Sequence, residues 1–239
     1  MINFLGNIMG SILRYVYTFV SSVLPSEPSY ISYYAIAIII TSIIFKLILL
    51  PISLKQINSS RRMTELQPLI KEIQTKYKSD PKTMQVKMQE LYKEHQYNPA
   101  SGCLVLIIQM PIIFAFFAVF RDPATYAFTD PGMYESMAKN FFWISNLDLS
   151  DPYLWGLPLL AGLTTYVQSI TMMSANPNAD PSTQSTQKIM NIMLPFIIFI
   201  SARGFAAGLA LYWVISNIFS IIQQLIVNRS VKKAGGQKK

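Results

Sequence analysis

The chain has 239 residues, of which 51% are hydrophobic and only 13% are charged, and its mean hydropathy is +0.33. This composition excludes an ordinary soluble domain and predicts an all-α, multi-pass membrane protein. The net charge of +8 lies mainly in loops and the C-terminal segment, which indicates membrane orientation, and DNA is not an expected partner. One cysteine and one histidine are too few for a disulfide framework or a Cys/His metal site, so we expect no cofactor, no metal and no enzymatic activity.

Residues 1–29 are predicted to form an N-terminal amphipathic helix at the membrane interface, and Pro25 and Pro28 end this helix before the first span. Polar residues recur close to the helical period, and apolar residues lie between them. The polar positions are Asn3, Asn7, Ser11, Arg14, Thr18 and Ser21, and the apolar positions are Leu5, Ile8, Ile12, Val16, Phe19 and Val23. Such a helix suits the membrane interface better than the hydrocarbon core.

The first predicted membrane span runs from Ile31 to Leu54 and contains 24 residues with a single charge, Lys46. About 20 apolar residues are enough to cross the hydrocarbon core, so the length is sufficient. The lysine permits two interpretations. It is either a cationic anchor whose stem reaches the inner membrane surface, or a functional cation that faces a wet cavity inside the helix bundle.

A charged segment, residues 55–98, follows with nine basic and five acidic residues. Two apolar stripes at helical spacing predict a hairpin of two packed helices, although a solvated charged loop is also compatible with the charge content. The stripes are Leu66, Ile70, Ile73 and Tyr77, and Met84, Met88, Leu91 and His95. Between them, Asp80 is predicted to cap the second helix and Pro81 to begin it.

The second predicted span, Ser101 to Phe120, is uncharged and carries Gln109 and Pro111 near its middle. These two residues are equally consistent with a packing kink and with the lining of a groove. The third span, Tyr153 to Met173, has a polar face that includes Gln168. A short loop is predicted at 174–188.

The apolar region 189–227 is predicted to contain two spans that turn at Arg203-Gly204. Loops rich in Lys and Arg remain on the cytoplasmic side, which places 55–98 and the tail 228–239 inside and the acidic loop 121–152 outside. This arrangement requires five spans in the region 30–227, with the N-terminus outside and the C-terminus inside. The five basic residues of the tail are consistent with an ordinary cytoplasmic flank or with contact to ribosomal RNA.

The fifth predicted span also has a polar face. It consists of Tyr212, Ser216, Ser220 and Gln223, with Asn217 and Gln224 beside it. These side chains either hold helices together by hydrogen bonds or line a polar site. A small transporter or channel with an intramembrane cationic site is the alternative function, but it should show an internal repeat, and the two halves of the sequence are not convincingly similar.

Three blocks of sequence resemble the YidC/Oxa/Alb family of membrane protein insertases, and the resemblance covers about residues 30–227. The blocks are FKLILLPISLKQ at 45–56, NPASGCLVLIIQMPIIFAFF at 98–117 and GLALYWVISNIFSIIQQ at 208–224. The resemblance implies a five-helix bundle with a hydrophilic groove in its inner half, open to the cytoplasm and to lipid. The family's central cation is usually an arginine, and Lys46 stands at that position here. The family's long periplasmic domain is missing from this sequence, which suggests the short bacterial form.

The resemblance further implies that the chain inserts nascent integral membrane proteins into the bacterial cell membrane and helps them to fold, alone or with the Sec translocon. The implied partners are the nascent substrates and the lipid bilayer, with the ribosome and the Sec translocon as candidates. The residues expected to line the substrate groove are Lys46, Gln109, Gln168, Ser216, Asn217 and Gln223.

Overall fold

The computed structural model describes residues 2–98, 104–173 and 181–236, and these ranges contain ten α-helices and no β-strand. The helices are α1 (Ile2–Val23), α2 (Tyr33–Ile48), α3 (Leu50–Lys76), α4 (Pro81–Glu94), α5 (Leu104–Arg121), α6 (Pro123–Tyr126), α7 (Met133–Ser136), α8 (Leu157–Met173), α9 (Pro181–Ser201) and α10 (Ala207–Gly236). The all-helical prediction therefore holds for the described part of the chain.

α2, α5, α8, α9 and α10 pack into one bundle, and each runs opposite in direction to the one before it. We call residues 122–156 the capping segment, because α2, α8 and α10 begin beside it and α5 ends next to it. The Ser32 N–H donates to the Asn140 carbonyl at 3.0 Å, and the Ala207 N–H donates to the Leu149 carbonyl at 2.7 Å. α10 contacts α2, α5 and α8, whereas α9 packs mainly on α8. The capping segment thus fixes one end of the bundle, and α10 lies at its centre.

A buried carboxylate in the capping segment determines where α8 begins. Asp151 accepts hydrogen bonds from the indole N–H of Trp143 at 3.1 Å, the Tyr153 N–H at 2.9 Å and the Leu157 N–H at 2.7 Å. A carboxylate at this position satisfies backbone donors that the first turn of a helix leaves free. α8 therefore begins at Leu157, later than the Tyr153 predicted for the third span.

The first predicted span is not one continuous helix. α2 ends at Ile48 and α3 begins at Leu50, with a bend of 56° between them. Pro51 explains the break, because its nitrogen has no hydrogen to donate and its ring crowds the preceding turn. The prediction of a single helix over 31–54 is therefore wrong, and α3 begins before residue 55, where the hairpin was expected to start.

α3 and α4 pack against each other as a helical hairpin. Leu66, Ile70 and Leu91 are buried between them. The second stripe differs from the prediction at its end, because His95 is exposed and Tyr97 packs on the hairpin core instead. This cluster of apolar side chains is separate from the main core of the bundle.

The turn of the hairpin has the predicted capping geometry. Asp80 accepts a hydrogen bond from the Thr83 N–H at 3.1 Å, and Pro81 is the first residue of α4. The Thr83 hydroxyl also donates to the carboxylate at 2.6 Å. These hydrogen bonds from Thr83 hold the pKa of Asp80 below its usual range.

α1 lies against α2, α5 and the short α6. The face that it buries is shifted from the predicted one, because Val16 is buried whereas Ile8, Phe19 and Val23 are exposed. The buried face consists of Gly6, Met9, Gly10, Leu13, Val16 and Val20. α1 is apolar around much of its circumference, so periodicity alone did not identify the face that packs.

Two glycines select the packed face of α1. A Cβ atom on Gly6 would lie 3.0 Å from the ring of Tyr126, and one on Gly10 would overlap the Tyr126 carbonyl oxygen. One turn after Gly10, Arg14 of α1 forms an ion pair with Asp130 of the capping segment at 2.5 Å. Absence of a side chain at position 10 therefore allows the helix to approach the capping segment closely.

By length and composition, one described helical segment, Ala207–Arg229 in α10, is sufficient to cross a membrane. α2 with the first part of α3 is a second candidate if the bent pair is counted as one span. The apolar segments Gln109–Arg121 and Asn191–Ser201 are shorter. α10 continues to Gly236, so the helix does not stop at Val227, where the tail was predicted to begin.

Some sequence predictions fall outside the described residues. These are the first residues of the second span, with Cys103, residues 174–180 of the loop expected at 174–188, and the last residues of the basic tail. Residues 181–188 of that expected loop lie in α9 instead. The turn predicted at Arg203-Gly204 is present between α9 and α10.

The Gly10 contact gives a stability prediction. Gly10→Val should lower the free energy of unfolding in detergent by about 1–3 kcal/mol, because the new side chain overpacks a fixed backbone carbonyl. Denaturant titration followed by circular dichroism measures this change. Ser11→Val, on the exposed side of the same turn, is the matched control and should change stability by less than about 0.5 kcal/mol. Equal stability of Gly10→Val and the unmodified chain would contradict the packing of α1 on Tyr126.

Candidate functional site

Polar side chains on α10 hydrogen bond to side chains of α2, α3, α5 and α8. Apart from the adjacent Tyr212 and Trp213, these side chains follow at intervals of three or four residues, so they cover one broad side of the helix. We call these contacts the polar seam, and it consists of Tyr212, Trp213, Asn217, Ser220 and Gln223 of α10 with Gln109, Thr164, Thr165, Lys46 and Ser53 of the neighbouring helices. The seam runs along α10 from the middle of the bundle towards the end where the hairpin lies.

Lys46 lies in the last turn of α2 and is half-buried against α10. Its Nζ donates to the Ser220 Oγ at 3.1 Å, and Ser220 in turn donates to the Ser216 carbonyl at 2.9 Å. In the described ranges, ion pairs join Arg14, Lys87 and Lys139 to acids, and Lys46 is in none of them. The ammonium group therefore has a neutral hydroxyl as its partner and no internal counter-charge.

Asn217 makes the most completely buried contact of the seam. Its Nδ2 donates to the Thr164 Oγ1 at 3.1 Å and the Thr165 Oγ1 at 2.9 Å, and Trp213 Nε1 donates to the same Thr165 oxygen at 3.0 Å. Asn217 is 6% exposed and Ser216 is 5% exposed. These two predicted groove residues therefore lie between helices in this conformation rather than on an open surface.

Gln109 joins α5 to α10. Gln109 lies two residues before Pro111, and its Nε2 donates to the Tyr212 hydroxyl at 3.3 Å. The Tyr212 ring stacks on Phe116 with the ring centroids 3.8 Å apart. Gln109 is half-buried, so its amide remains partly accessible while it bonds to Tyr212.

The end of the seam nearest the hairpin is the most accessible part. Gln223 Nε2 donates to the Ser53 Oγ at 2.5 Å, and both residues are half-buried. One turn further, Asn228 Oδ1 accepts from Gln224 at 3.2 Å and from the Arg61 guanidinium at 3.1 Å. This end therefore combines amides, a hydroxyl and a second cation.

Two predicted groove residues contribute no side chain to the hydrogen bonds of the seam: Ser216, whose carbonyl accepts from Ser220, and Gln168. Gln168 is half-buried on α8, one turn after Thr164. The adjacent Ser169 hydrogen bonds to Asn191 of α9, so this part of α8 faces α9 as well as α10.

The sequence prediction omitted Ser53, Thr165 and Trp213 from the site. Ser53 follows Lys46 by seven residues, the helical spacing that places two residues on one face, but the bend at Leu49 hides this relation. Trp213 and Asn217 are four residues apart, which could have indicated a second polar row. Thr165 has Gln168 and Ser169 three and four residues later, but Thr164 has Gln168 at helical spacing too, so only the contact with α10 distinguishes Thr165.

An apolar recess lies between α5 and α9 and is lined in part by Trp213. Its volume is about 310 Å³. α5, α8, α9 and α10 all contribute to its lining, which consists of Ile113, Phe114, Phe117, Ala161, Ile198, Ala202, Phe205, Leu209, Ala210 and Trp213. The bundle thus presents a cationic polar seam and an apolar recess at neighbouring positions.

The chemistry available at the seam is binding by charge and hydrogen bonds. Lys46 offers a cation for a carboxylate, and the amides and hydroxyls offer donors and acceptors for backbone groups. In the ranges that the structure describes, no group of three or more His, Cys, Asp or Glu side chains could hold a metal ion.

Comparison with known proteins identifies the family. Residues 27–234 match the family model described as 60Kd inner membrane protein. The chain is 39% identical over 204 residues to the membrane protein insertase YidC of Oceanobacillus iheyensis, which covers 82% of this chain and 75% of the relative. It is 34% identical over 235 residues to the YidC of Clostridium tetani, which covers 98% of both chains.

Other relatives are longer. The match to the YidC of Wolinella succinogenes is 36% identical over 196 residues and covers 82% of this chain but only 34% of that protein. The matched region of this chain contains α2 to α9, α10 as far as residue 234, and every residue of the polar seam. On these matches, the chain belongs to the YidC/Oxa/Alb family of membrane protein insertases.

Proposed function

We propose that this chain, a membrane protein insertase, moves polar segments of nascent membrane proteins across the bilayer by way of the polar seam. The observation that carries this proposal is the hydrogen bond of Lys46 to the neutral Ser220 hydroxyl, because among the described residues no carboxylate forms an ion pair with this cation. An acidic residue of a substrate can supply that counter-charge. The insertase function implies nascent membrane proteins as substrates and a membrane as the site of action.

The physical problem is the cost of carrying polar groups through hydrocarbon. Each unsatisfied backbone group costs several kcal/mol there, and a charge at the bilayer centre costs roughly 2.5–3.5 kcal/mol on insertion scales. Donors and acceptors that extend partway into the bilayer shorten the apolar distance that the polar segment must cross. Lys46, Gln109, Gln168, Ser216, Asn217 and Gln223 are the groups that we assign to this task, with Ser53.

The internal hydrogen bonds of the seam do not prevent this use. Hydrogen bonds between membrane helices are worth about 0.6 kcal/mol on average and at most roughly 1.7 kcal/mol. Polar groups of a substrate can therefore replace them one at a time. Lys46–Ser220 and Gln223–Ser53, at the half-buried end, are the bonds that we expect to exchange first.

We further propose that the apolar part of the substrate leaves along the recess between α5 and α9. Its apolar lining matches a hydrophobic helix, and Trp213 separates the recess from the seam while donating to Thr165. A substrate can thus keep its polar end at the seam and its apolar end at the recess.

The proposed topology has five spans, with the N-terminus outside and the C-terminus inside. Charge bias supports it, because residues 55–98 carry nine basic and five acidic residues whereas 121–152 carry two basic and five acidic residues. The alternating direction of α2, α5, α8, α9 and α10 supports it as well. The capping segment and α1 then lie on the outside, with α1 at the interface, and the hairpin lies in the cytoplasm of a bacterial cell. The ribosome and the Sec translocon are proposed partners on that basis.

Accessibility of single cysteines tests the topology. In a Cys103→Ala background, cysteines at Glu135 and at Ser11 should react with an impermeant thiol reagent added outside intact cells, whereas cysteines at Lys82 and Lys233 should react only after permeabilisation. Gel-shift detection of the labelled protein measures the reaction. Outside labelling at Lys233 would show that α9 and α10 cross the membrane an odd number of times together, and the five-span topology would fail.

Substitutions at Lys46 test the electrostatic part of the proposal. Lys46→Arg should retain insertion, because arginine remains charged and has at least the same reach. Lys46→Ala should reduce insertion of a substrate with an acidic outer segment and spare a neutral version, and Lys46→Glu should reduce it further because like charges repel. Protease protection of two substrates that differ only in this charge measures the effect.

Ser220→Ala is the matched control for Lys46. It removes the internal hydrogen bond of Lys46 but keeps the charge, so insertion of the acidic substrate should persist. Full activity of Lys46→Ala on the acidic substrate, or equal losses on both substrates at equal protein abundance, would refute an electrostatic role. The second result would instead identify Lys46 as a structural anchor.

A pair of adjacent substitutions tests the hairpin. Ile70→Asp places a charge in the α3–α4 contact, where Ile70 is 3% exposed, whereas Leu69→Asp places it at a position that is 39% exposed. We expect Ile70→Asp to separate the two helices and lower the insertion rate while the bundle remains folded, because the hairpin core is separate from the main core. Leu69→Asp should have little effect. Normal insertion by Ile70→Asp, with limited proteolysis confirming an opened hairpin, would mean that the hairpin is only a spacer.

A further inference from the structure

A second polar pocket lies at the base of the hairpin, distinct from the polar seam. It has a volume of about 290 Å³ and lies between α3 and the residues that follow α4. We call it the hairpin-base pocket, and its lining is Lys55, Asn58, Ser59, Arg62, Gln96, Tyr97 and Asn98. Two of these residues are cations, the others are neutral and polar, and none is an acid.

The pocket is formed by one face of α3 and a reversal of the chain. Lys55, Ser59 and Arg62 follow at intervals of four and three residues, so they lie on one side of the helix. Gln96 has a left-handed backbone with φ of 49°, which turns the chain back towards α3. Tyr97 then packs on the hairpin core, with its ring 5.4 Å from that of Tyr92. The side of the pocket formed by residues 96–98 is thus attached to the packed core of the hairpin.

The charge of the pocket is uncompensated within the described ranges. The ion pairs of the described ranges involve Arg14, Lys87 and Lys139, and neither Lys55 nor Arg62 takes part in one. Both side chains are exposed. A planar guanidinium, an ammonium and nearby amide donors are the groups that bind a phosphate, because they combine charge with several directed hydrogen bonds.

An apolar surface adjoins the pocket and indicates the source of the phosphate. Ile52 lies one turn before Lys55 on the same face of α3 and is 40% exposed, and Leu47 and Ile48 at the bend are 51% and 58% exposed. An exposed apolar surface that continues directly into a cationic pocket matches a molecule with an anionic head and apolar chains. Inorganic phosphate would use only the pocket.

We propose that the hairpin-base pocket binds the phosphate headgroup of an anionic phospholipid, with its acyl chains along Leu47, Ile48 and Ile52. Bound lipid would join the first turns of α3 to the returning segment at 96–98 and hold the hairpin at a fixed angle to the bend. The proposal concerns lipid recognition and does not depend on how substrates are inserted.

Lipid binding to the purified full-length chain in detergent tests the proposal. A fluorescent phosphatidylglycerol is bound and then displaced by unlabelled phosphatidylglycerol, by phosphatidylcholine or by inorganic phosphate, with anisotropy as the readout. We expect phosphatidylglycerol to displace the probe at lower concentration than phosphatidylcholine, by about fivefold for each basic residue that contacts it. The Lys55→Gln/Arg62→Gln variant should lose this preference, and inorganic phosphate should displace only weakly.

Lys71→Gln/Lys82→Gln is the matched control, because it removes the same charge from exposed positions of the same hairpin outside the pocket. It should keep the preference for phosphatidylglycerol. An equal loss in both double variants would reduce the effect to general surface charge and overturn the site. Retention of the preference in Lys55→Gln/Arg62→Gln would overturn it as well, and displacement by inorganic phosphate as effective as by lipid would overturn the lipid assignment.

Discussion

The hydrogen bonds from Asn217 to Thr164 and Thr165 are the contact on which the arrangement of the bundle depends. Between helices in a membrane the hydrophobic effect gives little attraction, so close packing and polar bonds determine which faces meet. Asn217 fixes α8 to α10 at a buried position, and α9 is placed largely through its contact with α8. The relative position of the seam and the recess therefore follows from this one amide and its two hydroxyl partners.

The hydrogen bonds of the polar seam differ in burial from one end of the row to the other. At the Asn217 end the amide is buried and donates to two hydroxyls, whereas Lys46 and Gln223 at the other end are half-buried and each donates to one neutral hydroxyl of the described residues. A gradient from fixed to exchangeable hydrogen bonds lets a bundle remain assembled while one end of it accepts foreign polar groups. Holding helices together and binding a substrate are thus compatible roles for the side chains of one row.

The two ends of the bundle have opposite physical character. At one end the capping segment binds the first residues of α2, α8 and α10 through backbone hydrogen bonds and the buried Asp151. At the other end α2 bends into α3, and the hairpin has its own small core. One end of the bundle is thus held together by hydrogen bonds to the capping segment, whereas the other end continues into a hairpin whose core is separate from that of the bundle.

Local chemistry in the sequence determined much of this protein. The helical content, the Asp80–Pro81 turn and the turn at Arg203-Gly204 followed from patterns within a few residues, and the three quoted blocks identified the family. The tertiary structure decided which faces meet. Pro51 broke a stretch that hydropathy treats as continuous, and Gly10 selected the packed face of α1 through its distance to Tyr126. Thr165 and Ser53 joined the site only through partners distant in sequence, because a hydrogen bond between helices depends on spatial approach that helical periodicity does not encode.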